Sequence, residues 1–131
     1  LYEKALIRDT RGKAYLSSYE NGYIKAMPGS FGSFYITIDT IAPIIRPVNL
    51  ASGKSMAGIS KMIFKISDSL SGIKSFKGTM DGNWILMEYD QKTATLWHTF
   101  DERTSSGKHT FQLEVTDNKL NTKTYTATLY R

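Results

Sequence analysis

Two histidines, His98 and His109, are the residues best suited to acid-base or zinc chemistry, since the chain has no cysteine. Neither has an acidic or second imidazole companion at a spacing typical of metal ligands. The Gly-x-Ser-x-Gly pattern of serine hydrolases is also absent. We therefore expect no catalytic residue here. On strand periodicity, both imidazoles should be partly buried and held by a backbone partner.

Asp68 and Asp117 each stand at the end of a predicted strand. Carboxylates gathered at one end of a β sandwich would suit Ca²⁺, which prefers hard oxygen ligands. The sequence lacks an Asp-x-Asp-x-Asp-Gly loop, and aspartate at a strand end ordinarily accepts hydrogen bonds from the turn that follows. Both roles stay open, the turn being the more ordinary. No phosphate-loop or dinucleotide fingerprint occurs, and we expect no cofactor.

Three aromatic residues, Trp84, Tyr89 and Trp97, are candidates for a ligand-binding surface, because exposed rings can stack on sugars. Against this, a tryptophan in a sandwich usually belongs to the core. A glycan-binding module should present these rings as an exposed row, whereas a mechanical spacer should bury them.

The net charge of +5 is concentrated in the middle of the chain, where residues 40–82 hold six basic and two acidic side chains. Spaced lysines on strands usually form a solvated face, and charge on an edge strand discourages pairing with another chain. We assign Lys61, Lys65, Lys74 and Lys77 to edge strands and expect a monomer. No recognition helix or single-strand-binding motif is present, so we expect no nucleic-acid partner. The longest apolar stretches are too short to span a membrane.

The elements that must position these residues follow a period of two, which indicates β strands. In residues 108–116, His109, Phe111, Leu113 and Val115 alternate with polar residues. Similar alternation marks residues 61–66 and 124–129. Asp81-Gly82 has the composition of a two-residue hairpin turn between strands 73–80 and 84–89. Further strands near 44–49 and 94–100 make seven, the pattern of an immunoglobulin-like or fibronectin-type antiparallel sandwich.

Residues 1–39 contain a second, smaller set of strands. Asn21-Gly22 should join strands 14–19 and 23–26 as a hairpin, and residues 34–38 form a further strand. A proline at Pro43 stiffens the segment that follows. We therefore divide the chain into residues 1–39, the C-terminal strands of an upstream β-sandwich domain, a linker at 40–43, and an immunoglobulin-like domain at 44–131.

Several segments resemble known bacterial proteins. Residues 32–45 resemble the junction between tandem immunoglobulin-like domains of bacterial surface and envelope proteins. The elements Asp68-x-x-Ser-Gly-Ile and Thr116-Asp-Asn are generic to bacterial immunoglobulin-like repeats. The longer string at 81–90, Asp-Gly-Asn-Trp-Ile-Leu-Met-Glu-Tyr-Asp, resembles the C-terminal region of envelope metallopeptidases of the lysostaphin-like zinc peptidase family.

This resemblance implies an exported protein in which a zinc-dependent catalytic domain lies upstream of β-sandwich repeats. The family's His-x-x-x-Asp and His-x-His elements are absent from this sequence. The resemblance therefore implies a noncatalytic, extracytoplasmic region that positions a peptidoglycan peptidase or contacts envelope material. Its expected partners are upstream domains of the same polypeptide and cell-wall glycan or peptidoglycan. A free-standing glycan-binding or adhesive module and a mechanical spacer are the alternatives.

Overall fold

The protein is built almost entirely from β strands. The structure is a computed structural model that describes residues 1–29 and 31–131. Within these ranges the one helical element is a turn of 3₁₀ helix at Tyr2–Lys4. The strands are β1 (Ala5–Asp9), β2 (Ala14–Tyr15), β3 (Ser17–Glu20), β4 (Tyr23–Ala26), β5 (Phe34–Ile38), β6 (Ile44–Pro47), β7 (Lys54–Ser55), β8 (Lys61–Ser67), β9 (Ile73–Met80), β10 (Asn83–Ile85), β11 (Glu88–Asp90), β12 (Thr95–Thr99), β13 (Lys108–Asp117) and β14 (Thr122–Tyr130).

Strands β6 to β14 form two sheets that pack face to face. One sheet has the order β10-β9-β13-β14-β7 and the other the order β11-β12-β8-β6. Pairing is antiparallel throughout, except where the short β7 runs parallel to β14. Four strands opposite a sheet built around β9, β13 and β14 is the arrangement of an immunoglobulin-like sandwich. The expected all-β sandwich fold is confirmed.

Strands β1 to β5 form two smaller sheets of their own. One has the order β2-β1-β5, and the other is the β3-β4 hairpin. Among the described residues, no strand of this group hydrogen-bonds to a strand of the sandwich. Large apolar side chains of the group are exposed, including Leu16, Tyr23, Met27 and Ile36. Residues 1–39 therefore enclose little core of their own.

The core of the sandwich consists of the apolar side chains that alternate with polar ones along its central strands. Phe111, Leu113 and Val115 on β13 are fully buried, and the stacked rings of Phe64 and Phe111 have centroids 5.4 Å apart. Met62, Phe64 and Ile66 on β8 and Ala127 and Leu129 on β14 are also buried. This confirms the buried faces expected for these three strands, because successive side chains of a strand point to opposite faces of its sheet.

Two hairpin turns have the predicted chemistry. Asp81 and Gly82 have φ values of 52° and 81°, and Asn21 and Gly22 have φ values of 49° and 82°. Positive φ at both central residues defines the type I′ turn, which matches the twist of the flanking strands. The first turn joins β9 to β10, and the second joins β3 to β4.

The expectation of one strand over residues 84–89 is wrong. The chain forms β10 in one sheet, crosses at residues 86–87, and forms β11 in the other sheet. Met87 is buried at this crossing, where it lies against Gly78 so closely that a Cβ on Gly78 would be 2.8 Å from the Met87 Cγ. The single strand expected over residues 14–19 is likewise divided into β2 and β3. Neither β1 nor β7 was predicted from the sequence.

The assignment of Lys61 and Lys65 to an edge strand is wrong, because β8 pairs with β12 on one side and with β6 on the other. Lys74 and Lys77 lie on the first part of β9, which pairs only with β13 among the described residues, since β10 reaches no further than residues 78–80. These two lysines therefore lie along an open edge, as expected. None of the described residues forms a helix long and apolar enough to cross a membrane.

Candidate functional site

The structure brings Asp68 and Asp117 together with a third aspartate, Asp39. One carboxylate oxygen from each lies within 4.8 Å of the others. Asp39 follows β5 directly, Asp68 follows β8, and Asp117 is the last residue of β13. Asp39 and Asp117 are fully buried and Asp68 is half-buried. We call these three residues the aspartate cluster. It lies where residues 1–39 meet one end of the sandwich.

Asp68 and Asp117 also perform the turn role considered from the sequence. Asp68 Oδ1 accepts hydrogen bonds from the backbone N–H groups of Leu70, Ser71 and Gly72, at 3.2, 2.9 and 3.0 Å. Asp117 Oδ1 accepts from the backbone N–H groups of Lys119 and Asn121 at 2.8 and 2.9 Å. These bonds fold both loops back towards Asp39, whose Oδ2 accepts from the Ser71 N–H at 3.2 Å.

The negative charges of the clustered aspartates repel one another. Burial raises the pKa of Asp68, the backbone N–H of Gly72 opposes this effect, and the negative charge of Asp39 raises the pKa further. Like charges in a partly desolvated site favour the uptake of a proton or a cation. The Lys119 ammonium supplies one positive charge near the cluster. Burial lowers the pKa of the Lys119 ammonium, whereas the charges of Asp39 and Asp117 raise it.

Lys119 and Asn121 connect the sandwich to residues 1–39. The buried Lys119 ammonium donates to the backbone oxygen of Ser17. Lys4 Nζ donates to the backbone oxygen of Lys119 at 2.8 Å and to Asn121 Oδ1 at 2.6 Å. Asn121 Nδ2 in turn donates to the Asp39 backbone oxygen at 2.9 Å. These hydrogen bonds, which we call the polar junction, tie both small sheets to the β13-β14 loop.

The donor set of the cluster fits a calcium ion. Ca²⁺ binds carboxylate oxygens at about 2.3–2.6 Å, so two ligands on opposite sides of an ion lie about 5 Å apart. The spacing of at most 4.8 Å meets that requirement. Asp68 Oδ2 accepts no hydrogen bond from the described part of the chain and is the oxygen most available to an ion. The cluster can therefore take up a proton or a divalent cation, while the Lys119 ammonium donates its hydrogen bond to Ser17.

The three aromatic candidates do not form a row. Trp84 is 63% exposed on the edge strand β10. Trp97 is half-buried on β12, in the other sheet, and faces away from the core because its neighbours Leu96 and His98 are buried. Tyr89 packs edge-on against Phe76 and belongs to the rim of the core. The two tryptophans therefore lie on the outer faces of opposite sheets.

Both histidines are buried and hydrogen-bonded to backbone carbonyls, as expected. His98 Nδ1 lies 2.7 Å from the Leu86 oxygen. His109 Nδ1 lies 2.6 Å from Asp81 Oδ2, and its Nε2 lies 2.7 Å from the Ser105 oxygen. Because both ring nitrogens of His109 face acceptors, the imidazolium form satisfies both. The Asp81 and Ser105 hydrogen bonds raise the pKa of His109, while burial and the charge of Arg131 oppose them.

Sequence reasoning missed Asp39, Lys119, Lys4 and Asn121. Asp39 carried a usable signal, since it ends a strand as Asp68 and Asp117 do. Lys119 and Lys4 carried none, because a lysine on a turn or beside a strand is usually solvated. Only their position between two β units makes them partners of buried groups.

No protein-family model matches the chain, and no curated protein matches it. Among solved structures, the chain is similar to the X-ray structure of the endo-β-1,4-mannanase from Thermotoga petrophila, with a TM-score of 0.57 and 10% sequence identity. The similarity covers 70% of this chain and 20% of the mannanase chain. At this identity the likeness shows a shared fold.

Replacing Lys119 with methionine tests the polar junction. The variant removes the ammonium that donates to the Ser17 backbone oxygen and leaves that acceptor without its partner, so we expect the free energy of unfolding to fall by about 2 kcal/mol. Urea denaturation measures the change. Lys123→Met, which alters an exposed lysine on β14, is the matched control and should change stability by less than about 0.5 kcal/mol. Equal stability of the two variants would contradict a stabilising role for the Lys119 charge.

Replacing Asp68 with asparagine tests cation binding by the cluster. The amide oxygen can still accept the three backbone hydrogen bonds, while the charge is removed. If the cluster binds Ca²⁺, excess calcium raises the melting temperature of the natural protein above its value in chelator, because selective binding stabilises the native state. Asp68→Asn should weaken or abolish that rise. A natural protein with the same melting temperature in calcium and in chelator rules out the calcium role.

The raised pKa of His109 makes stability depend on pH. The native state holds the imidazolium more tightly than the unfolded state, whose pKa is about 6.5. The stabilisation is therefore complete below pH 6.5 and is lost as pH rises through the native pKa. Denaturation of the natural protein and of His109→Gln at pH 6 and pH 9 measures this. The natural protein should lose more stability than the variant between the two pH values, and equal losses would count against the assignment.

Proposed function

We propose that this chain is a noncatalytic accessory region of an exported cell-wall metallopeptidase, which positions the catalytic domain or contacts envelope material. The resemblance of residues 81–90 to the C-terminal region of lysostaphin-like zinc peptidases suggests the parent protein. Under this proposal the chain works outside the cytoplasm, and its first partner is the upstream part of its own polypeptide.

The observation that carries the positioning role is the polar junction. Lys119, Lys4 and Asn121 make directional hydrogen bonds between residues 1–39 and the β13-β14 loop. Hydrogen bonds weaken steeply when their distance and angle are disturbed, and a buried partner left unsatisfied costs stability. A domain continuous with β1 to β5 would therefore be held at one orientation relative to the sandwich.

The exposed apolar side chains of residues 1–39 support contact with an upstream domain. Leu16, Tyr23, Met27 and Ile36 are each at least 63% exposed. Strand β5 forms one edge of its sheet, and its sequence Phe-Tyr-Ile-Thr-Ile carries no charge to discourage pairing. Further strands of an upstream sandwich would cover these side chains and pair with that edge.

The proposal is tested with the full-length polypeptide and a version lacking residues 44–131. Zinc-dependent release of dye from labelled insoluble peptidoglycan should be seen with the full-length protein and should fall in the truncated version, while cleavage of a small soluble cell-wall peptide persists. A full-length polypeptide with no zinc-dependent peptidoglycan hydrolysis would show that the proposal is wrong.

Retention of residues 1–131 on insoluble peptidoglycan separates wall contact from simple spacing. Long-range attraction by exposed lysines is largely screened at physiological ionic strength, where the Debye length is about 8 Å. Specific wall contact predicts retention at both low and physiological salt. Loss at the higher salt, or no retention at either, favours a mechanical spacer, which the rigid junction would also serve.

A further inference from the structure

A groove of about 340 Å³ opens beside Trp84, between β10, the end of β12 and the loop that follows it. Its volume is within the range of small-ligand sites. The groove lies near the start of β13, since the Asp81 N–H bonds to the Thr110 oxygen there, whereas the aspartate cluster lies at the end of β13. It is therefore at the end of the sandwich away from residues 1–39.

His98 lines this groove and leaves one polar atom unsatisfied. The residue is 5% exposed, and its Nδ1 donates to the Leu86 carbonyl, so in the neutral imidazole Nε2 carries the lone pair. Within the described ranges, the buried Nε2 has no hydrogen-bond partner. Such an unpaired group costs stability, and native proteins keep few of them. A bound ligand with a hydroxyl donor would satisfy it.

The remaining lining combines an apolar ring with polar groups of both charges. Trp84 and Leu86 both line the groove, and both side chains are exposed. Glu88, Asp101 and Arg103 supply acceptors and donors around it. Three carboxylates, those of Asp81, Glu88 and Asp101, against the Arg103 guanidinium give no attraction for an anionic polymer. An apolar face with nearby donors and acceptors instead suits a neutral ring that carries hydroxyl groups.

We propose that this groove binds a sugar ring of a neutral glycan. The ring stacks on Trp84, and one hydroxyl donates to His98 Nε2. Because Nε2 is buried, the hydroxyl reaches it only when side chains next to His98 shift. The choice of cell-wall sugar as the glycan rests on the proposed function, whereas the sugar-binding groove itself does not.

The test is an NMR titration of ¹⁵N-labelled residues 1–131 with the β-1,4-linked tetramer of N-acetylglucosamine, with mannotetraose and cellotetraose as comparison sugars. We expect saturable shifts of the Trp84 indole N–H and of the loop after β12. The His98 Nε2 resonance should move in the direction produced by accepting a hydrogen bond. A role of His98 limited to its Leu86 contact would leave that resonance unchanged.

Two variants identify the site. Trp84→Ala should weaken binding at least tenfold, and because Trp84 is exposed the variant should keep its fold, which circular dichroism checks. Trp97→Ala removes the other tryptophan, on the opposite sheet, and should leave the affinity unchanged. Absence of saturable shifts with all three sugars, or equal affinity of Trp84→Ala and the natural protein, would overturn the proposal.

The outcome is independent of the peptidase proposal. If the chain binds sugar but its full-length form does not hydrolyse peptidoglycan, the sugar-binding groove is supported and the accessory role in a peptidase is contradicted. If peptidoglycan hydrolysis depends on residues 44–131 but none of the three sugars binds saturably, the accessory role is supported and the sugar-binding groove is contradicted. Binding of mannotetraose but not the N-acetylglucosamine tetramer would retain a glycan site and overturn its assignment to the wall sugar.

Discussion

The buried polar junction is the constraint on which the arrangement of the molecule depends. Charged groups removed from water are tolerated only when each has partners of opposite charge or directional hydrogen bonds. Lys119 meets this condition because Ser17 accepts from its ammonium and because the charges of Asp39 and Asp117 partly offset the burial that lowers its pKa. An apolar contact could slide without large cost. Donors and acceptors in fixed positions cannot slide without losing their hydrogen bonds, so residues 1–39 are held in one orientation relative to the sandwich.

Strand β13 carries this constraint through the sandwich. It pairs with β9 on one side and β14 on the other along most of its ten residues, which makes it the central strand of the larger sheet. At its end, Asp117 joins the aspartate cluster. Near its start, the Asp81 and His109 pair holds the β9-β10 turn beside the loop that borders the Trp84 groove. The two ends of one strand thus carry different structures, the aspartate cluster at one and the proposed sugar groove at the other.

The residues that suggest catalysis in the sequence have structural partners in the fold. His109 is enclosed by two acceptors, and His98 supports the crossing between β10 and β11 through Leu86. The aspartates combine two tasks, since their backbone hydrogen bonds shape the loops while their charges face one another. This second feature distinguishes the cluster from ordinary turn aspartates, because turn formation alone does not require three carboxylates within 4.8 Å.

The sequence alone determined the all-β class, the buried faces of β8, β13 and β14, and the two type I′ turns, because alternation and local backbone preference act over a few residues. It could not reveal β1, whose adjacent Ala5 and Leu6 are both buried and break the alternation. Asp68 and Asp117 could be found at strand ends, but their meeting with Asp39 and Lys119 depends on residues up to 80 positions away. Only the tertiary structure decided the cluster, the crossing at residues 86–87 and the opposite placement of Trp84 and Trp97. Each of these depends on how whole sheets pack against one another, and the energy of that packing is not contained in any local stretch of residues.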